Sequence, residues 1–219
     1  MASSAIDRVG QQAPADKLLA MAADRGSASH PYVSSPRLLG GADAMRNLAD
    51  AVHYLCMFHG RFPGVIDLAA ERAKGGTQGW LRAAADRFAD ERAWLTRLVV
   101  AAGPLPSTPG QAESQAAVVA QHHALETLAR SDRHGCAPGA ALALLLDWGA
   151  IRAVLDVAAE RCGVDPLPVS LPNASEVGAI AAAQDQKHAR ALTFGAQQFL
   201  LQHRGLWDVL EAREAARRG

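Results

Sequence analysis

The chain carries apolar residues at three- and four-residue intervals over most of its length, and strict alternation of apolar and polar residues is rare. The first pattern is typical of amphipathic α-helices and the second of strands. Stretches rich in Gly and Pro interrupt the helical pattern, and such residues commonly end helices. Five long helices are therefore predicted, over roughly residues 41–59, 78–102, 111–131, 138–163 and 173–204.

The fold class that this pattern predicts is all-α. Long helices joined by short connections pack as an antiparallel bundle, so we expect four to five long helices with short accessory helices. The accessory helices are predicted before Gly26, after Pro63 and around Trp207. Asn173, with Glu176 three residues later, has the spacing of a capping box and marks the start of the fifth long helix.

Residues 1–40 differ from the rest of the chain in being rich in Ser, Pro and Gly. We expect them to form a loosely held N-terminal arm with one short helix, because such a segment buries little apolar surface. Residues 41–219 are predicted to form a single helical-bundle domain, which is a usual size for one hydrophobic core.

Overall composition argues against several classes of function. The chain has 22 Lys and Arg residues and 22 Asp and Glu residues, and this balance gives no electrostatic reason to bind nucleic acid or an anionic membrane. No apolar run has the roughly 18 residues that a membrane-spanning helix requires. The cysteines Cys56, Cys136 and Cys162 are odd in number and far apart, which argues against disulfides and thiolate metal sites. Without a recognisable secretion signal, cytoplasmic localisation is expected.

Each predicted long helix carries a carboxylate or an imidazole on or beside its apolar face. Asp147 is one such residue, since it borders the stripe that contains Leu144, Ile151 and Val154. A carboxylate in that position needs a donor, a cation or a metal ion, because an isolated buried charge is unfavourable. The candidate metal ligands selected in this way are Glu91, His122, Glu126, Asp147, Asp185 and His188. Further, more peripheral candidates on the first long helix are Asp50, His53 and His59.

Two short motifs place an acid and a histidine three residues apart. They are DAVH, from Asp50 to His53, and DQKH, from Asp185 to His188. Residues at this spacing share one helical face, so the pair can bind one metal ion, or the acid can orient the imidazole. Asp50 lies further round its helix than His53, toward the polar side.

Together with the lone carboxylates Glu91 and Glu126, these motifs resemble the ferritin-like di-iron carboxylate bundles. That family carries Glu-x-x-His on two helices and a single Glu on two others, and the resemblance covers roughly residues 41–204. It implies a metal-binding or oxidoreductase protein with iron or manganese as cofactor. The chain is also similar in size and helix number to the heme-oxygenase-like and thiaminase-like bundles, which hold heme, a small molecule or a metal pair.

The same residues are consistent with a protein that has no catalytic activity. In this interpretation the buried acids and histidines form structural pairs, such as Glu91 with Arg92 or Arg87, and His122 binds a backbone carbonyl. The chain would then be a helical small-molecule-binding or protein-interaction module. Its expected partners are a small-molecule ligand inside the bundle and a second copy of the chain, since Phe194, Leu201 and Trp207 allow a homodimer.

Three arrangements separate these hypotheses. An enzyme or cofactor site requires Glu91, His122, Asp147 and His188 to converge, a binding module requires an apolar pocket lined by one or two of them, and a structural role requires separate pairs without a cavity. In each case we expect Asp147 to face the interior and to be satisfied by a histidine or arginine of another helix. His188 and His122 are the favoured partners.

Overall fold

A computed structural model describes residues 13–218 of the chain, and these residues contain α-helices, two short 3₁₀ helices and no strand. The 3₁₀ helices are Ser27–Ser29 and Gln186–His188. The α-helices are α1 (Pro14–Arg25), α2 (Pro36–Leu39), α3 (Ala44–His59), α4 (Val65–Arg72), α5 (Gly75–Ala102), α6 (Gln111–Ala129), α7 (Cys136–Cys162), α8 (Ala174–Ala182) and α9 (Ala189–Ala216). The all-α fold class predicted from the sequence is confirmed.

The predicted capping box at the start of α8 is also confirmed. The Asn173 side chain accepts hydrogen bonds from the backbone N–H groups of Ser175 and Glu176, at 2.9 and 3.1 Å. The Glu176 carboxylate accepts one from the Asn173 backbone at 2.8 Å. These bonds satisfy N–H groups that the first helical turn leaves without intrahelical partners.

The fifth predicted helix is wrong in two respects. The predicted segment 173–204 is interrupted between Ala182 and Ala189, where the Asp185 side chain caps the 3₁₀ turn by accepting from the Lys187 backbone at 3.0 Å. An Asp that binds the backbone locally competes with the helical bonding pattern. The chain then stays helical through Gly205 to Ala216, so the predicted last short helix is part of α9.

The centre of the molecule is α7, whose first three turns are buried on every face. It packs most extensively against α9. Two glycines allow this close approach: a Cβ at Gly139 would collide with the Leu192 carbonyl, and a Cβ at Gly195 would collide with the Cys136 carbonyl. The bundle thus places the middle of α7 beside α3 and α9 in the interior.

The segment predicted as a loosely held arm instead packs against the bundle over its described residues. Helix α1 contacts α8 and α9, and the buried apolar residues of the segment are Leu18, Met21, Tyr32, Val33 and Leu38. Apolar side chains at helical spacing in α1, and around the following 3₁₀ turn, give it a surface to bury. Residues 1–12 of the predicted arm lie outside the described residues.

The three apolar residues proposed to support a homodimer lie in different environments. Trp207 is fully buried, whereas Phe194 and Leu201 are 43 % and 56 % exposed. The dimer therefore stays a prediction that rests on the two exposed residues of α9. No helix among residues 13–218 is long and apolar enough to cross a membrane.

Candidate functional site

Asp147 lies on α7 in the interior and is only 2 % exposed. Its carboxylate accepts three hydrogen bonds. The backbone N–H of Ser27 donates to Oδ1 at 2.6 Å, and the Ser27 hydroxyl donates to Oδ2 at 2.6 Å. The third donor is Nδ1 of His203 on α9, which lies 2.6 Å from Oδ2. The prediction that Asp147 faces the interior and pairs with a histidine of another helix is confirmed, but the histidine is neither His188 nor His122.

The hydrogen-bonded chain continues from His203 to a second histidine. Nε2 of His203 lies 2.8 Å from Nε2 of His59, the last residue of α3. Because a carboxylate only accepts, Nδ1 of His203 carries a proton, and a neutral His203 then accepts at Nε2 from His59. This order leaves Nδ1 of His59 unprotonated. We call Asp147, His203 and His59 the relay.

Aromatic rings surround the two imidazoles of the relay. The His59 ring lies 4.7 Å from Phe58 and 5.4 Å from Trp148, and the His203 ring lies 4.2 Å from Phe199. Burial among these rings lowers the pKa of His59 well below its ordinary value, and the nearby His203 lowers it further. His59 is therefore a neutral imidazole at neutral pH and is available as a base.

A small cleft opens beside His59, between α3, α4, α5, α6 and α7. Its walls are mainly apolar and include Leu68, Leu125 and Leu144, while Arg61 and Glu126 also line it. The cleft has a volume of about 20 Å³, which is enough for one water molecule. Among residues 13–218, the His59 ring forms a hydrogen bond only through Nε2, and His59 lines the cleft, so the relay ends at the cleft.

A second imidazole, His122 of α6, lines the same cleft. Its Nδ1 lies 2.9 Å from the carbonyl of Phe58 and donates to it, so its Nε2 remains an acceptor when the ring is neutral. The proposed backbone-carbonyl partner of His122 is thereby confirmed. Glu126, one turn further along α6, forms an ion pair with Arg130 at 2.8 Å. Of the predicted site residues, His59, His122 and Glu126 therefore line one cleft.

Glu91 pairs separately, with partners that differ from those expected. Arg152 donates to its Oε1 at 2.7 Å and the Trp148 indole donates to its Oε2 at 3.1 Å. Burial raises the pKa of Glu91, although both of these donors oppose the rise. The expected pairing with Arg92 or Arg87 is wrong, since Arg92 binds Asp67 at 2.9 Å and Arg87 donates to the Ser170 carbonyl at 3.2 Å. Glu91 thus reaches the relay only indirectly, through the Trp148 ring.

The DAVH motif does not bring its two side chains to a common site. Asp50 is 1 % exposed, although its helical position predicts the polar side, because the C-terminal part of α9 covers that face. Arg213 binds both carboxylate oxygens of Asp50, at 2.9 and 3.1 Å, and Arg217 adds a further ion pair. Nε2 of His53 lies 2.7 Å from the Gly103 carbonyl instead.

The DQKH motif lies at the interruption between α8 and α9, so its residues do not share a helical face. Asp185 is exposed and pairs with Lys187 at 2.7 Å, and these bonds lower the pKa of the Asp185 carboxyl. His188 is half-buried, with its ring 5.5 Å from that of His134. The prediction that both residues face the bundle interior is wrong, because an interruption of the helix changes the direction of every side chain after it.

The predicted metal ligands do not fit a metal centre. Glu91, Glu126 and Asp50 are each engaged by an arginine, and the DQKH pair lies outside the interior. Among residues 13–218, no group of three or more His, Cys, Asp or Glu side chains is arranged to hold a metal ion. Iron or manganese stays a prediction from the resemblance, without a matching donor set in the described part of the chain.

Two members of the site were absent from the sequence prediction. His203 follows Phe199 by four residues and therefore lies on the apolar stripe of α9, but the stripe predicted for this helix ended at Phe199. Ser27 lies outside the long helices, and its short 3₁₀ turn has no helical periodicity from which a face can be assigned.

No curated protein and no solved structure matches the chain. A model of a family of unknown function, DUF6975, matches residues 22–218. The matched region contains the relay, Ser27 and the cleft beside His59. Because the match covers more than half of the 219 residues, the chain belongs to the DUF6975 family.

Proposed function

We propose that the chain is an enzyme in which His59 acts as a general base at the floor of the cleft. The observation that carries this proposal is the continuous chain of buried hydrogen bonds from Asp147 through His203 to His59, which ends at the cleft. A base needs an unprotonated nitrogen with access to substrate, and Nδ1 of a neutral His59 meets both requirements.

Proton transfer along the relay follows from the tautomers. When Nδ1 of His59 accepts a proton from a group in the cleft, Nε2 of the same ring gives its proton to Nε2 of His203. The positive charge then lies on His203, whose Nδ1–H is bonded to the Asp147 carboxylate. The buried Asp147 carboxylate stabilises this charge and does not accept the proton itself. His59 is the catalytic residue, while His203 and Asp147 position it and stabilise the charge.

The size of the cleft restricts the group on which His59 acts. A volume of about 20 Å³ admits a water molecule or the terminal hydroxyl of a larger substrate. The rest of the substrate then lies at the mouth, where Arg61 supplies a positive charge and Glu126 an acceptor. The proposed reaction class is therefore attack by a deprotonated water or hydroxyl on an electrophilic carbon.

Cleavage of p-nitrophenyl acetate tests this proposal without knowledge of the natural substrate. The wild-type chain is expected to cleave the ester faster than buffer does, and His59→Gln is expected to reduce the excess rate by about a hundredfold, a typical contribution of a positioned base. His53→Gln is the matched control, because His53 lies on the same helix but binds the Gly103 carbonyl. Equal rates for wild type and His59→Gln would contradict the proposal.

A second candidate function, binding of a small molecule without turnover, is favoured by the mainly apolar walls and by the Nε2 atom of His122 in the cleft, which Nδ1 leaves unbound by contacting the Phe58 carbonyl. Phenol, whose hydroxyl can enter the cleft while its apolar ring lies at the mouth, is a suitable probe. Shifts of the His59 and His122 imidazole resonances with phenol, together with no ester cleavage, would select this function. The small-molecule partner of the chain would then be a ligand held by His122 in the cleft.

A further inference from the structure

Ser27 is a buried residue of the N-terminal segment that makes direct contact with the relay. Its backbone N–H and its hydroxyl bind different oxygens of Asp147, both at 2.6 Å. The residue before it, Gly26, lies so close that a Cβ there would collide with Oδ1 of Asp147. The backbone of the segment is therefore in van der Waals contact with the carboxylate.

The segment is fixed to the bundle on both sides of Ser27. Before it, Leu18 and Met21 of α1 are buried, and α1 packs against α8 and α9. After it, the buried His30 binds Asp208 of α9 at 3.0 Å, and Tyr32 is buried. The 3₁₀ helix that carries Ser27 itself packs against α7 and α9. Docking of this segment thus determines where the two Ser27 donors lie.

We propose that Ser27 is a positioning residue of the relay, through which the docked N-terminal segment holds the Asp147 carboxylate in the orientation that His203 requires. The proposal rests on the proposed function, because it assigns Ser27 a role in the reaction at His59. A carboxylate can rotate about its Cβ–Cγ bond unless both oxygens are bound. Ser27 binds both oxygens, so it prevents this rotation and directs one lone pair of Oδ2 toward Nδ1 of His203.

The orientation of Asp147 affects the far end of the relay. Nδ1–H of His203 must point at the carboxylate for Nε2 to accept from His59, and the tautomer of His59 depends on that bond. When the Ser27 hydroxyl is lost, Oδ2 keeps only His203 and the carboxylate is held by one backbone N–H. Part of the His203 population is then misoriented, and Nδ1 of His59 is no longer reliably the free base.

The test is a double-mutant cycle on the full chain. The quantity measured is the His59-dependent rate of p-nitrophenyl acetate cleavage. Ser27→Ala is expected to lower this rate about tenfold, as for loss of one hydrogen bond to a charged group. In an Asp147→Asn background the same substitution is expected to change the rate less than twofold, because its effect passes through the carboxylate. Ser29→Ala is the matched control, since the Ser29 hydroxyl binds only the Gly26 carbonyl of the same turn.

A second measurement keeps the proposal testable if the ester is not cleaved. The Nδ1 proton of His203, bonded to a buried carboxylate, should give a strongly downfield NMR resonance in the wild type and in Ser29→Ala. Ser27→Ala should shift it upfield or broaden it. An unchanged resonance, or equal rate losses in both backgrounds of the cycle, would overturn the role of Ser27. If only the proposed function is wrong, His59→Gln will leave the rate of ester cleavage unchanged. The resonance of the His203 Nδ1 proton will still depend on Ser27.

Discussion

Two buried carboxylates on neighbouring helices, Asp50 on α3 and Asp147 on α7, are stabilised by different kinds of partner. Both are almost completely enclosed, at 1 % and 2 % exposure, and an isolated charge at either position would be strongly unfavourable. Asp50 is bound by guanidinium groups, whereas Asp147 is bound by a serine and an imidazole. The chemical nature of the partner therefore decides what a buried acid can do.

The Asp50 cluster is a closed set of permanent charges. Arg213 binds both oxygens of Asp50 in a bidentate pair, and Arg217 binds one of them. The Thr108 hydroxyl accepts from both arginines, at 3.1 and 2.8 Å. Arginine stays protonated in proteins, so the cluster has no proton to transfer. Its role is to join the C-terminal part of α9 to α3.

The Asp147 cluster is an open chain of one carboxylate and two imidazoles, whose ring nitrogens can both donate and accept protons. His203 carries two nitrogens, so it binds Asp147 with one and His59 with the other. The chain then reaches a cleft, which the Asp50 cluster does not line. A buried carboxylate paired with imidazole can therefore transmit a change in charge to a substrate, while one paired with arginine only stabilises the fold.

The largest effect that the comparison predicts is that of Asp50→Ala. This substitution leaves the buried guanidinium of Arg213 without its bidentate partner, and Arg217 without its ion pair. We expect the free energy of unfolding to fall by about 4–5 kcal/mol, as when one partner of a buried ion pair is removed. Urea unfolding monitored by far-ultraviolet circular dichroism measures the change.

Asp43→Ala is the control for the Asp50 substitution, because Asp43 is exposed at the start of α3 and makes no capping bond. It is expected to change the free energy of unfolding by about 0.5 kcal/mol at most. A loss below about 1 kcal/mol for Asp50→Ala would show that the guanidinium groups find water or other acceptors. The Asp50 cluster would then not be a stabilising junction.

A smaller loss of stability is expected from Asp147→Ala, about 3 kcal/mol. The partners left behind are the Ser27 N–H, its hydroxyl and the His203 imidazole, none of which carries a permanent charge. The same urea measurement applies, and the His59-dependent ester rate should fall in parallel. A loss as large as that for Asp50→Ala would indicate that His203 is a buried cation, and would remove the difference between the two clusters.

The fold and the position of Asp147 could be predicted from the sequence, because helical periodicity is a local property. The apolar stripe of α7 placed Asp147 in the interior, and helical interiors require a partner from a neighbouring helix. The partner itself could not be predicted. His203 lies opposite Asp147 because α9 packs closely along α7, and this close packing depends on glycines of both helices, Gly139 and Gly195.

Long-range packing also explains the remaining differences from prediction. Asp50 lies on the polar side of its own helix by periodicity, but the C-terminal part of α9 covers that side and supplies Arg213. Ser27 lies in a segment whose composition predicts a loose arm, yet it contacts Asp147, 120 residues away in the sequence. Neither contact can be recognised from the neighbouring sequence, because both depend on the three-dimensional position of an element that is distant along the chain.

Gly26→Ala tests the contact of the N-terminal segment with Asp147 and is expected to have a moderate effect. A Cβ at this position would collide with Oδ1 of Asp147 and with the Ala22 carbonyl, so the segment or the carboxylate must move. We expect a loss of about 2 kcal/mol in the free energy of unfolding, as for overpacking in a dense core. Thermal unfolding by calorimetry measures it.

Gly149→Ala provides the matched comparison for Gly26→Ala, since Gly149 lies on α7 near Asp147 and a Cβ there has nothing within 4 Å. Replacement of a helical glycine by alanine at such an open position is expected to raise stability by about 0.5–1 kcal/mol. Similar gains in stability for both variants would mean that the segment is not in contact with Asp147. Ser27 would then not be a partner of the Asp147 carboxylate.

The smallest effect expected is a change in the pH dependence of stability in His59→Gln. Burial lowers the pKa of His59 in the folded chain, so between that pKa and the ordinary value near 6.5 the unfolded chain binds more protons. The stability that neutral His59 contributes is complete above the ordinary value and is lost as the pH falls below it. Glutamine does not titrate, so the variant should lose less stability than the wild type between about pH 7 and pH 5.

Urea unfolding at several pH values measures the slope, and His53→Gln controls for loss of an imidazole from the same helix. Identical slopes for wild type and both variants would show that His59 exchanges protons as freely in the folded chain as in the unfolded one, and the relay would then not differ from the Asp50 cluster in the way proposed.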